Sequence, residues 1–238
     1  MERKYEEHCK QILFFFKALG FCYPLSMRFS AILFDLDGTL IDTISLYRRA
    51  CIQGMASAGL DLTHEEFDAY YVSGSSLEEW IRLKGGEKGD APLVRRERDR
   101  AYHMLLRTEP AFFLGAEELL NDLLDFPKAI VTGSWKSYVD ALDECVEITK
   151  HFPHIITADD TSPFHKPHPH GLLLAADRLG VDPRKCVYIG DQMFDIDAAH
   201  AAGMTSCLVP TQFTPKEAHG KAEMELESLD ELLPRLRC

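Results

Sequence analysis

The chain reads as an α/β protein: a Rossmann-like parallel sheet flanked by helices, with a small α-helical module inserted after the first strand. Three observations lead there. Strand-like apolar runs at 31–35, 128–132, 154–158, 186–190 and 204–209 alternate with helical patterns, as in a parallel sheet wrapped by helices. Roughly ninety residues with almost no strand pattern separate the first two runs, far more than the ~2–6 of a βα loop, so they form a helical module of their own. Asp35 and Asp37 stand at the carboxyl end of the first run, where open α/β sheets bind ligands and where two unpaired carboxylates would be costly to folding.

In chain order, Ile12, Phe15, Phe16 and Leu19 fall at helical spacing with Gly20 and Pro24 beyond, which predicts an amphipathic helix in an extension over 1–26 that could be dispensable. The acids Glu2, Glu6 and Glu7 and the interruption by Lys17 argue against a signal peptide, and the apolar run is too short for a membrane span. The strand Ala31-Ile32-Leu33-Phe34 runs into Asp35-Leu36-Asp37-Gly38-Thr39-Leu40, where Gly38 permits a sharp turn.

Within the module, Thr63 with Glu66 and Ser76 with Glu79 have the spacing of capping boxes, and Ala91-Pro92 opens a charged helix to about Arg107. A bundle of roughly four helices follows, joined to the core near Thr39–Thr43 and Glu109–Gly115 by a paired hinge. Beyond it, a helix over 116–125 presents Leu119, Leu120, Leu123 and Leu124, and one over 170–180 presents Leu172, Leu173, Ala176 and Leu179 before a left-handed cap at Gly180. Ser228 with Glu231 predicts a last capping box ahead of Leu229, Leu232, Leu233 and Leu236. The expected division is an extension over 1–26, a catalytic core over 27–42 and 111–238, and the helical module over 43–110.

A net charge of −12 argues against a broad nucleic-acid or anionic-membrane surface. An anionic substrate therefore needs local positive charge. Seven cysteines without metal-ligand spacing fit a reducing cytoplasm. The histidines at 165, 168 and 170 match no usual helical ligand pair, so a non-metal reading is favoured there.

Four segments carry chemistry, each at the end of an expected strand or in the loop beyond one. They are Asp35-Leu36-Asp37-Gly38-Thr39, Thr132-Gly133-Ser134, His165-Lys166-Pro167-His168-Pro169 and Gly190-Asp191-Gln192-Met193-Phe194-Asp195. In this order they resemble the four motifs of the haloacid dehalogenase-like superfamily, over about residues 29–210. The resemblance implies a Mg2+-dependent phosphatase acting through an aspartyl-phosphate. Asp35 would be the nucleophile, Asp37 the acid and then the base, and Thr132, Gly133 and Lys166 would bind phosphate. Magnesium would be held by Asp35, the backbone carbonyl of Asp37 and Asp191. Asp195 would hold Lys166 or a metal-bound water. Gly133, where relatives often carry Asn, and Gln192, often Ser or Thr, depart from the pattern; Ser134 reads as a cap for the helix that follows.

The inserted module matches the helical cap of the subgroup resembling phosphoglycolate phosphatase and β-phosphoglucomutase. Arg82-Leu83-Lys84-Gly85-Gly86 matches half of a mutase cap motif and then departs, which keeps a phosphosugar mutase as one alternative. A catalytically idle binding or regulatory protein is another. Substrate contacts are expected from the cap around Ser73-Gly74-Ser75 and Arg82; the run Arg95-Arg96-Glu97-Arg98-Asp99-Arg100 reads as a solvated face or a steering patch. The expected partner is a small phosphorylated metabolite, with no nucleic acid and no membrane, and the protein is expected to be a monomer or homodimer.

Overall fold

A computed structural model describes residues 27–85 and 90–236; the expected amino-terminal helix lies outside them. Six parallel strands form one sheet in the order β3-β2-β1-β4-β5-β6, with β1 Ala31–Phe34, β2 Lys128–Val131, β3 Ile155–Ile156, β4 Cys186–Gly190, β5 Thr205–Leu208 and β6 Met224–Glu225. All five expected runs contain a strand. The third is shorter than its apolar run because Thr157 already caps a helical turn at Ala158–Thr161. The sixth has only two residues, one of them Glu225, so no hydrophobic run announces it.

Side chains on a strand point alternately to the two faces. Ile32 and Phe34 enter one hydrophobic cluster while Ala31 and Leu33 enter another, so both faces of β1 are buried, as a parallel sheet requires. The first face is covered by Ala116–Asp122 and Lys136–Val146, and the second by His170–Leu179 and Met193–Ala202. Two expected apolar stripes are narrower than their leucines suggest. Leu124 is 62% and Leu173 41% exposed, because the first helix ends at Asp122 and the second turns Leu172, Ala175 and Ala176 inward. Near the carboxyl terminus, Leu229, Leu232 and Leu236 are buried as expected, but the capping box does not form: the Ser228 hydroxyl donates to Asp230 and Glu231 accepts from the Glu227 amide.

Four helices, α1 Thr43–Ser57, α2 His64–Ser73, α3 Leu77–Leu83 and α4 Ala91–Thr108, make up the inserted bundle. The capping boxes at Thr63/Glu66 and Ser76/Glu79 both form. Ile44, Cys51, Met55, Phe67, Trp80, Ile81 and Val94 build the bundle's interior, and Phe213, from the segment after β5, inserts among them. Helices α1 and α4 touch at Gly54, where an added Cβ would lie 2.7 Å from the Val94 carbonyl oxygen and 2.9 Å from Arg98 Cβ. The two connections to the sheet run side by side: the Asp42 amide donates to Ala111 O (3.0 Å) and the Phe113 amide to Leu40 O (2.9 Å).

Candidate active site

The chain leaves β1 to build β2 on one side and, after β3, returns to place β4 on the other, so the carboxyl ends of three adjacent strands face one crevice. Asp35 follows β1, Thr132 follows β2 and Asp191 follows β4. The structure thus brings all seven expected residues, Asp35, Asp37, Thr132, Gly133, Lys166, Asp191 and Asp195, to this end of the sheet or its bordering cavity.

Lys166 is the floor's cation. Its side chain is 7% exposed, and Nζ donates to Asp35 Oδ1 (2.8 Å), Asp195 Oδ1 (2.7 Å) and the Tyr188 hydroxyl (2.9 Å). Burial alone would lower its pKa, yet Asp195 and Asp35 together hold it well above the usual lysine range. The Tyr188 hydroxyl donates in turn to Val131 O (2.8 Å). It was not singled out from the sequence, although a tyrosine inside an apolar strand needs a partner for its hydroxyl.

Asp37 is held by hydroxyls. Thr43 Oγ1 donates to Oδ1 (2.6 Å), and Thr132 Oγ1 and Ser134 Oγ donate to Oδ2 (2.7 and 2.8 Å). Ser134 is therefore a site residue and not the expected helix cap; Trp135 occupies the cap position. The Ser134 amide closes the turn by donating to Thr132 Oγ1 (2.9 Å). Gly38 makes its own turn at φ +79°, in the left-handed region where a side chain would be strained and its Cβ would also strike Ile44 and Asp191.

Asp191 is fully buried. Gln192 Nε2 donates to its Oδ2 (2.6 Å) and Thr39 Oγ1 approaches Oδ1 (3.4 Å). The same Gln192 amide nitrogen donates to Phe213 O (3.2 Å), so the position that departs from the expected motif ties the Asp191 carboxylate to the loop entering the bundle. Asp195 acts twice: Oδ2 accepts the Gln192 backbone N–H at the helix start (3.0 Å), while Oδ1 accepts from Lys166.

The electrostatics favour a cation here. Oxygens of Asp35, Asp191 and Asp195 lie within 4.8 Å of one another, and among the described residues Lys166 is the one cationic side chain bonded to them. Burial raises Asp35 well above the usual carboxylate range against the pull of Lys166, and burial reinforced by Asp195 pushes Asp191 up to about 7. Hard carboxylate oxygens with excess negative charge suit magnesium. The donor set fits that ion.

A cavity of about 430 Å3 opens above this floor, bordered by Asp35, Asp37, Gly133, Ser134 and Lys166 below and by Tyr47, Tyr71, Arg95, Arg98 and Tyr102 of the bundle above. The cap residues singled out in the sequence lie elsewhere. Ser73 and Ser75 bond each other at the end of α2, Ser73 also donates to Tyr70 O, and Arg82 is exposed; none lines the cavity. The charged run on α4, read as a solvated face or a steering patch, supplies Arg95 and Arg98 instead.

Known proteins bear on this geometry. A family model described as haloacid dehalogenase-like hydrolase matches residues 32–209. The chain is 31% identical over 182 residues to the fructose-1-phosphate phosphatase YqaB of Escherichia coli (strain K12), covering 74% of this chain and 94% of that protein. It is 30% identical over 224 residues to a phosphoglycolate phosphatase of Nitrosospira multiformis, covering 90% and 94%. Among solved structures, CbbY from Rhodobacter sphaeroides in complex with phosphate superposes with a TM-score of 0.75 at 27% identity, over 87% of this chain and 99% of that one. A predicted phosphoglycolate phosphatase from Haemophilus somnus 129pt shares the fold at a TM-score of 0.77 and 18% identity, over 88% and 99%. With the strand-end carboxylates and Lys166 in place, this chain belongs to the haloacid dehalogenase-like hydrolase family.

Proposed function

We propose that the protein is a magnesium-dependent phosphatase that hydrolyses the phosphate monoester of a small metabolite through an aspartyl-phosphate. The observation that carries this reading is the bridge from Lys166 to Asp35 and Asp195 beside the hydroxyl-bound Asp37. Lys166 occupies Asp35 Oδ1, which leaves Oδ2 to attack phosphorus. As that oxygen–phosphorus bond forms, the bond to the leaving oxygen breaks, and Asp37 gives the departing alkoxide its proton. The acyl-phosphate is then attacked by water, which Asp37 deprotonates, and phosphate leaves with Asp35 regenerated. Thr43, Thr132 and Ser134 orient Asp37 between the leaving oxygen and the water. Magnesium, held by Asp35, Asp191 and the Asp37 carbonyl, would supply positive charge to the phosphoryl oxygens.

The bundle serves as the cap, moving on its paired connections to admit substrate and exclude bulk water. Water as the second acceptor, and not a second sugar hydroxyl, is favoured by the named phosphatases among the relatives. The free thiols of Cys51, Cys145, Cys186 and Cys207 suit a cytoplasmic, reducing location, and no helix among the described residues is long and apolar enough to cross a membrane. The test is phosphate release from a panel including fructose 1-phosphate, phosphoglycolate and a pentulose bisphosphate, with magnesium or chelator, and with Asp35→Asn as control. Magnesium-dependent release that vanishes in the variant supports the reading; no release from folded protein overturns it.

A further inference from the structure

The floor of the cavity meets a phosphoryl group, which every phosphate ester carries, so discrimination between esters falls to the surface above it. That surface is one-sided in its chemistry. Tyr47, Tyr71 and Tyr102 present phenols, Arg95 and Arg98 present guanidinium groups, and among the described residues the bundle lends the cavity no carboxylate and no amide. A neutral polyol tail is usually gripped by groups that accept its hydroxyl protons. Here the bundle offers two cations and three phenols, with no anionic acceptor among those of its described residues that line the cavity. Burial keeps all three phenols well above their usual titration range, so each retains its proton.

Arg98 is the organised member of this set. Its side chain is 12% exposed. Nε and Nη2 both donate to Asp99 Oδ1 (2.9 and 2.6 Å), Nη1 donates to the Tyr47 hydroxyl (3.1 Å), and the guanidinium lies 5.5 Å from the centroid of the Tyr47 ring. Asp99 is fixed in turn by the Tyr138 hydroxyl (2.9 Å) and does not line the cavity. The close approach of α1 and α4 at Gly54 sets Arg98 against Tyr47. A planar cation whose edge is tied from behind and whose solvent has been largely removed is prepared to bind an anion, with little rotamer entropy left to lose. Arg95, which pairs with Glu78, adds a second positive group nearer the surface.

We propose that the substrate carries a second acidic group, a carboxylate or a second phosphate, at the end away from the scissile ester, and that Arg98 recognises it. This inference rests on the phosphatase reading of the same site. Two matched pairs separate the sources of the acid: phosphoglycerate against glycerol phosphate, and a ketose bisphosphate against the corresponding ketose monophosphate. In the unmodified protein, kcat/KM favours the acidic-tailed member of at least one pair by about tenfold to a hundredfold, the worth of a charged hydrogen bond. Arg98→Met brings that ratio close to one by raising KM for the acidic member, while Arg98→Lys keeps part of it.

Affinity for the same pairs, measured by calorimetry on Asp35→Asn protein with magnesium, gives the preference without turnover. Hydrolysis of no ester would overturn the phosphatase reading, and the binding ratio would still report on the tail. Equal affinity within both pairs, or a ratio untouched by Arg98→Met in protein that melts normally, would overturn the role of Arg98. If Arg98→Met does not fold, the ratios in unmodified protein decide the tail, and Arg98→Lys decides the residue.

Discussion

The floor and the roof of the cavity are built in opposite ways. The floor collects Asp35, Asp191, Asp195 and Lys166 at the ends of adjacent strands and in the loops beyond them, almost without solvent, with more negative charge than its lysine neutralises. The roof is assembled from helices α1, α2 and α4, and its key contact joins Tyr47 to Arg98, fifty-one residues apart. Negative charge in the floor is only partly offset by Lys166, whereas each arginine of the roof is anchored by a carboxylate, Asp99 or Glu78, that does not line the cavity. The difference teaches that the proposed reaction chemistry rests on where strands end, whereas the proposed substrate choice rests on the packing of side chains between helices.

Substitutions can separate the two. In the floor, Asp35→Asn removes the proposed nucleophile, and steady-state phosphate release should fall by about 10⁴-fold or more for every ester, whatever its tail. Asp37→Ala should leave folded protein that turns over esters of poor leaving groups about 10²–10⁴-fold more slowly, with a smaller loss for an aryl phosphate that needs no proton. Wild-type rates on sugar phosphates would remove Asp37 from that role.

Asp191→Asn tests the stressed charge directly. Metal-free protein should melt higher than wild type, because one buried carboxylate becomes an amide. Magnesium should then stabilise wild type by about 2.7 kcal/mol at a hundred times its Kd, a rise of roughly 5–10 °C by scanning calorimetry, and the variant hardly at all. The smallest effect belongs to the roof. Gly54→Ala forces a methyl against the Val94 carbonyl and Arg98, and should cost about 1–3 kcal/mol in denaturant melts while narrowing the preference for acidic tails.

The same contrast decides how much was legible in the sequence. Asp35, Asp37 and Asp191 sit beside strand ends, and a strand end is visible as the place where an apolar run stops; Lys166, ten residues beyond β3, and Asp195, in the helix after β4, were legible only through their resemblance to the family's motifs. Three of the bundle's helices could be read from capping boxes and from Ala91-Pro92, since those signals are local. What could not be read depends on distant partners. Ser134 had a sufficient local role as a cap, and only the approach of Asp37 from another strand gives it a different one. Arg82 and the serines of α2 looked no less suitable than Arg98 for meeting substrate, because which face of a helix meets the sheet is set by the bundle's fit to the core. The strand Met224–Glu225 contributes only Met224 to the core and is too short to leave a hydrophobic run.

Phe213 bears on timing. Its ring sits among the bundle's interior residues, edge-on to Tyr71 at 5.7 Å and beneath the Arg48 guanidinium at 5.7 Å, although its backbone belongs to the sheet side of the cleft. The proposed swing of the bundle would draw that ring out of its socket. Exposing a phenylalanine costs about 1.5–3 kcal/mol, which thins the open population by roughly ten- to a hundredfold. Because the Phe213 carbonyl is also tethered through Gln192 to Asp191, the proposed opening of the bundle would be braked by a ring outside the cavity lining, and that brake would be felt at the floor's carboxylates.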